Sequence, residues 1–380
     1  MAISIENPVN PREGFYGDSP AASASKAALL LVLGVLYGQQ RPTSLQDLLR
    51  FQEEFPLPKP NPGARLDIRK HIEQLRSRYD IDPVTIRSIF DPQDLDMAQR
   101  RRAIAGELVQ KIYKQPDPET AADILLLAMG DPDEQARVAA AISALDMFEN
   151  ISLPVRALLF FRDDLHDEIA KQLAEVALHR LGSFSFMGPS ASPPPPQRPS
   201  LGLKSALIVH GSHFGSVGDI IPTWWKPSGD FHTYIKNNFR PNLYSKPDYY
   251  TWSGGWSDHA RQLAARDLLH WVQNRNFRDI DVLAHSHGGS VVMWATQLGV
   301  ELDQLILMSC PVHWQSYQPE FTRIKNVISY QIKFDWVILA DRGGTYFNHP
   351  RITDHVLPQW FWRHDDTHDP ATWQKHNLMF

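Results

Sequence analysis

Residues 281–295 read DVLAHSHGGSVVMWA, and this stretch decides the fold of the C-terminal half of the chain. Its first part completes IDVLAHS (280–286), a short apolar run with the length of a buried strand. Its second part opens GGSVVMWATQLG (288–299), which has the composition of a buried helix. Ser286 thus falls in the turn between them. The start of a helix favours negative charge developing on that side chain. Gly288 and Gly289 let the helix approach the sheet closely.

The alternation continues on both sides. SALIVHG (205–211), YYTWSG (249–254), DQLILMSCP (303–311), NVISYQIKFD (326–335) and HVLPQWFW (355–362) read as further strands. SDHARQLAARDLLHWVQN (257–274) reads as a helix, with Ala264, Leu268 and Trp271 spaced as one inward face. Strands alternating with helices predict an α/β fold with a mainly parallel sheet and a ligand site at the strand C-terminal ends.

The 281–295 turn resembles the nucleophile elbow of the α/β-hydrolase superfamily, G-x-S-x-G between strand and helix, in the manner of bacterial lipases and esterases. Ala284 replaces the first Gly with another small residue. The resemblance spans about residues 201–380 and implies Ser286 as nucleophile. The family order of Ser, acid, His implies Asp335 as the acid, at the end of its strand, with Asp341 in ADRGG as runner-up and more readily a turn former. It places the base in RHDDTHDP (363–370), where His364 precedes His368 as candidate. Asp369 and Pro370 read as the cap and first residue of a final helix. The His210-Gly211 segment after its strand implies an oxyanion hole from the main-chain N–H of Ser212 or His213, together with His287. TWWKPSGDF resembles the aromatic loop of these hydrolases, which makes Trp224, Trp225 and Phe214 candidates for substrate contact, although such a loop can equally pack on its own aromatics. In that family two strands normally precede the one ending at His210, where this chain has a Pro-rich segment, so the resemblance implies a trimmed sheet of about six strands.

The resemblance implies cleavage of a carboxylic ester, small or lipid-like, through an acyl-enzyme. The same triad serves an acyltransferase or thioesterase. A third reading is a partner-binding helical protein whose hydrolase domain is regulatory. No cofactor is expected. His364, Asp365, Asp366, His368 and Asp369 could together attract a divalent ion. However, H-x-x-x-H in a loop fixes no common face, so no metal is expected.

Residues 183–200, SFSFMGPSASPPPPQRPS, mark a stiff polyproline break. The chain thus divides into an irregular segment (1–22), an all-helical domain (23–182), a Pro/Ser-rich linker (183–202) and the α/β domain (203–380). Helices are expected at 23–38, 43–54, 66–79, 82–89, 94–114, 118–129, 133–148, 152–162 and 166–181. DEQARVAAAISALDMF from Asp133 and DEIAKQLAEVALHRLG from Asp167 resemble HEAT-type repeats. This helical domain is a candidate surface for a protein partner.

Over 380 residues the net charge is −5, which gives no electrostatic case for nucleic acid. The single cysteine, Cys310, excludes an internal disulfide and suits a reducing compartment. The longest apolar run, Ala27 to Tyr37, is too short to span a bilayer, and no basic segment precedes it as in a signal peptide. A buried helix and a cytoplasmic protein are expected.

Overall fold

The computed structural model describes residues 20–38, 65–81, 95–183, 204–212, 223–333, 335–357 and 364–380. The helices expected at 43–54 and 82–89, and most of the linker, lie outside the described residues. The chain forms two compact units. One is built on the chain through Leu178, and Leu339–Arg342 belongs with it. The other comprises His179–Ile338, Gly343–Gln359 and Arg363–Phe380. In the second unit the His179 ring stacks on Trp256, with centroids 6.2 Å apart.

Seven helices are described in the N-terminal region: α1 (Pro20–Tyr37), α2 (Ile68–Tyr79), α3 (Leu95–Ile112), α4 (Pro118–Ala128), α5 (Glu134–Met147), α6 (Ser152–Asp164) and α7 (Glu168–Ser183). Aspartates set several starts. Asp67, Asp117 and Asp133 each accept main-chain N–H groups that the first helical turn leaves open. Helix α1 is buried on every side from Ala24 to Tyr37. It packs on α5 at Gly34, where an added Cβ would sit 2.5 Å from Ser143 Cβ, and the Ser143 hydroxyl donates to the Leu30 carbonyl at 2.8 Å. The two repeat-like segments are joined at their starts. Glu134 accepts the main-chain N–H groups of His166 (2.9 Å) and Asp167 (2.7 Å), and Gln135 Nε2 donates to Asp167 at 3.0 Å. No helix among the described residues is long and apolar enough to cross a membrane.

The second unit is built on an all-parallel sheet of β1 (Ala206–Val209), β2 (Ile280–His285), β3 (Leu302–Met308), β4 (Ile324–Ile332) and β5 (Ile352–Leu357), in that spatial order. The protein is therefore mixed α/β. Five strands are described, against the expected six or so. YYTWSG joins no ladder. Ala206 on the outer edge of β1 instead pairs with 242–244, accepting from Tyr244 N at 2.9 Å. YYTWSG is tied by side chains, with Tyr250 Oη donating to the Ala264 carbonyl (2.7 Å) and Trp252 Nε1 to the His210 carbonyl (2.8 Å).

The period-two alternation of strands sorts the core into two layers. Leu207, Val209, Val282, Ala284, Leu305 and Leu307 face helices α9 (Asp258–Asn274) and α10 (His287–Leu298). Ala206, Ile208, Leu283, Ile306 and Met308 face Phe231 and Ile235 of α8 (Asp230–Asn238) and Trp373 of α12 (Pro370–Lys375). A short helix, α11 (Trp336–Asp341), follows β4. The register pairs His285 with Met308 and Met308 with Tyr330, so neighbouring strands deliver their C-terminal residues to one edge.

Candidate active site

Ser286 follows the last residue of β2 and caps α10 with φ 52° and ψ −134°. L-residues avoid this region, at a cost of order 1–3 kcal/mol, unless the surroundings impose it. Here they do. Ser286 N–H donates to the Met308 carbonyl at 2.8 Å, and Ser309 N–H to Tyr330 at 2.9 Å, so the ladder continues one residue past each strand. A Cβ on Gly288 would collide with the His210 carbonyl oxygen, and one on Gly289 with Cys310 Sγ. These two glycines let α10 start hard against β1 and the residues after β3. Ser286 is buried, 3% exposed. Among the described residues its hydroxyl has no imidazole partner, and such bonds often tighten only once substrate is bound.

Asp335 lies between β4 and α11, with its side chain fully buried. Oδ1 accepts Val337 N–H (3.0 Å) and Ile338 N–H (3.2 Å), which caps α11. Oδ2 lies 2.6 Å from His364 Nδ1. His368 takes a different partner, placing Nε2 3.2 Å from Asp365 Oδ1. The two histidines sit on a short 3₁₀ helix, His364–His368, where an irregular loop was expected. At three residues per turn, positions four apart point in different directions. The turn is held from below. Thr367 Oγ1 donates to Ser309 Oγ at 3.0 Å, and Trp373 Nε1 donates to the Thr367 carbonyl at 2.8 Å. Asp369 caps α12 by accepting Ala371 N–H at 3.1 Å. The runner-up acid, Asp341, is the last residue of α11 rather than part of the Gly343 turn.

His285 is a site residue that the sequence reading passed over. It occupies a variable position of the elbow motif, and nothing local marks it. Its buried ring lies 4.7 Å from His364 and 4.6 Å from His368, centroid to centroid. Burial, reinforced by these two imidazoles, holds its pKa well below the ordinary histidine value. Its Nε2 lies 3.1 Å from the His364 carbonyl oxygen, which only accepts; Nε2 therefore carries the proton and donates.

Of the oxyanion candidates, Ser212 Oγ lies 3.0 Å from His287 Nδ1. His287 opens α10, which places its main-chain N–H at the helix start. His213 and Phe214 lie outside the described residues. Trp225 is buried, with its ring 4.2 Å from that of His210. Trp224 is half-buried and stacks on His368 at 3.9 Å with 6° between planes. Both tryptophans thus have packing partners within the unit.

No family profile, curated protein or solved structure matches the chain.

Proposed function

We propose that the chain is a serine hydrolase of α/β-hydrolase type that cleaves a carboxylic ester through Ser286, Asp335 and His364. The observation that carries this reading is the 2.6 Å contact between buried Asp335 and His364 Nδ1, near a serine held at positive φ. A carboxylate at Nδ1 keeps the proton there and leaves Nε2 with its lone pair. His364 Nε2 takes the Ser286 proton as Oγ attacks the ester carbonyl. Main-chain N–H groups of His287 and of the Ser212–His213 segment receive the developing oxyanion. His364 then protonates the departing alcohol. Water, activated by the same imidazole, releases the acid from the acyl-enzyme. Transfer to a thiol or alcohol acceptor would use the same groups. A cytoplasmic setting suits the lone, buried Cys310. The helical unit is a candidate surface for a protein partner.

The test is labelling by a fluorophosphonate probe and turnover of p-nitrophenyl esters of increasing acyl length. Wild type should do both, and Ser286→Ala neither. A wild type that melts cooperatively yet neither labels nor turns over sinks the proposal.

A further inference from the structure

We infer that His285, Asp365 and His368 form a binding site for a divalent transition-metal ion of the zinc class, beside the candidate base. The inference does not depend on the hydrolase reading. The three side chains come from β2 and from the 3₁₀ helix about eighty residues later in sequence, and their ligand atoms lie within 4.8 Å of one another. A tetrahedral ion with bonds of about 2.0–2.2 Å separates its ligands by roughly 3.3 Å. His368 Nε2 and Asp365 Oδ1 already stand 3.2 Å apart, and His285 Nε2 and Asp365 Oδ1 stand 4.0 Å apart. Closing the second gap is a movement of the Asp365 side chain, which is 71% exposed.

The imidazoles are fixed where the carboxylate is free. The His368 ring is clamped flat against Trp224, and Trp224 also meets the His285 ring edge-on at 5.5 Å. His285 is buried at the end of β2, so its ring is held in place. Two imidazole nitrogens and one carboxylate oxygen suit zinc and its first-row neighbours over magnesium or calcium. The His364 carbonyl oxygen, 3.1 Å from His285 Nε2, is placed as a further oxygen ligand. Without an ion, His285 Nε2–H donates to that oxygen. Coordination requires the other tautomer, with the proton on Nδ1. Binding therefore exchanges a hydrogen bond for a metal bond. A bound ion would staple the His364–His368 turn to β2.

The experiment uses the full chain without an affinity tag of histidines, stripped with a chelator and titrated with Co2+. The expected result is saturable binding of one equivalent, with the visible absorption of a four-coordinate site, and displacement by Zn2+ with a rise in Tm. His368→Ala and Asp365→Asn, each checked for a native circular dichroism spectrum, should weaken binding by at least about tenfold. Asp365 is exposed, so that variant tests the site without disturbing the core. His364→Ala should bind as wild type does. Absence of saturable Co2+ and Zn2+ binding to the wild type, or unchanged affinity in His368→Ala and Asp365→Asn, overturns the inference. Loss of ester turnover alone does not bear on it.

Discussion

Replacing Asp335 with Asn separates the two tasks of that carboxylate. Oδ1 caps α11 through Val337 and Ile338, and Oδ2 holds His364 Nδ1 at 2.6 Å. An amide can keep its oxygen toward the helix, so the cap survives. The other atom then becomes an NH2 donor facing a ring nitrogen that was also a donor. Two donors cannot share that distance. His364 must present a lone pair at Nδ1 and move its proton to Nε2, which can then no longer take the Ser286 proton. Such a tautomer reversal costs roughly 10⁴ in kcat, or about 5 kcal/mol at the transition state. Folding should lose only about 1 kcal/mol, because a charge-assisted bond becomes a neutral one. Asp335→Ala should cost folding roughly 3 kcal/mol, about 1 from the cap and the rest from the charged bond. The assay sets probe-labelling rate and ester kcat against urea midpoints for both variants. Activity of Asp335→Asn within tenfold of wild type, or equal stability losses for the two variants, would refute the reasoning.

Gly289→Ala should destabilise the chain by about 1–3 kcal/mol, since its Cβ meets Cys310 Sγ; in a Cys310→Ala background the urea-measured cost should shrink, and an unchanged cost contradicts the close-packing account. Burial opposes the charge on Glu134, but the main-chain N–H groups of Asp167 and His166 outweigh it and lower its pKa below 4.5. Its carboxylate therefore adds stability above that pH and loses it as the pH falls below, so the gap between wild type and Glu134→Gln, about 1 kcal/mol at neutral pH, should close in acid unfolding curves. His232 is held below 6.5 by burial, then by Lys236, against the opposing bond from Nε2 to the Tyr244 carbonyl at 3.0 Å. The unfolded chain thus binds the proton first, and stability should drop on acidification below pH 6.5 by at most about 1.4 kcal/mol per pH unit. His232→Gln should flatten that slope in urea titrations, and parallel slopes would show that His232 is not its source.

The parts of the fold legible in sequence were those governed by local chemistry. Asp369 announces a helix start because its side chain serves an N–H group two residues on. The strand at 280–286 and the helix after it show as continuous apolar runs because sheet and helix bury them from both sides. YYTWSG reads as a strand because Tyr250 and Trp252 alternate inward, yet alternation says nothing about which backbone pairs with the edge of β1. The proposed acid and base were partly legible. The resemblance puts them at Asp335 and in the 363–370 segment by chain order, with His364 ahead of His368, and the 3₁₀ turn is what points one of the two at the carboxylate. His285 was hidden for a different reason. Its neighbours His364 and His368 lie about eighty positions away, and no local pattern carries that distance.

The backbone at Ser286 gives this unit an unusual relation between stability and activity. A φ of 52° with ψ of −134° is ground that glycine occupies freely and serine does not. The fold would be more comfortable with glycine there, and selection for heat resistance alone would drift toward it. Glycine has no hydroxyl. A screen of this chain that scored only survival of folding would therefore be expected to erase the proposed nucleophile while reporting an improvement.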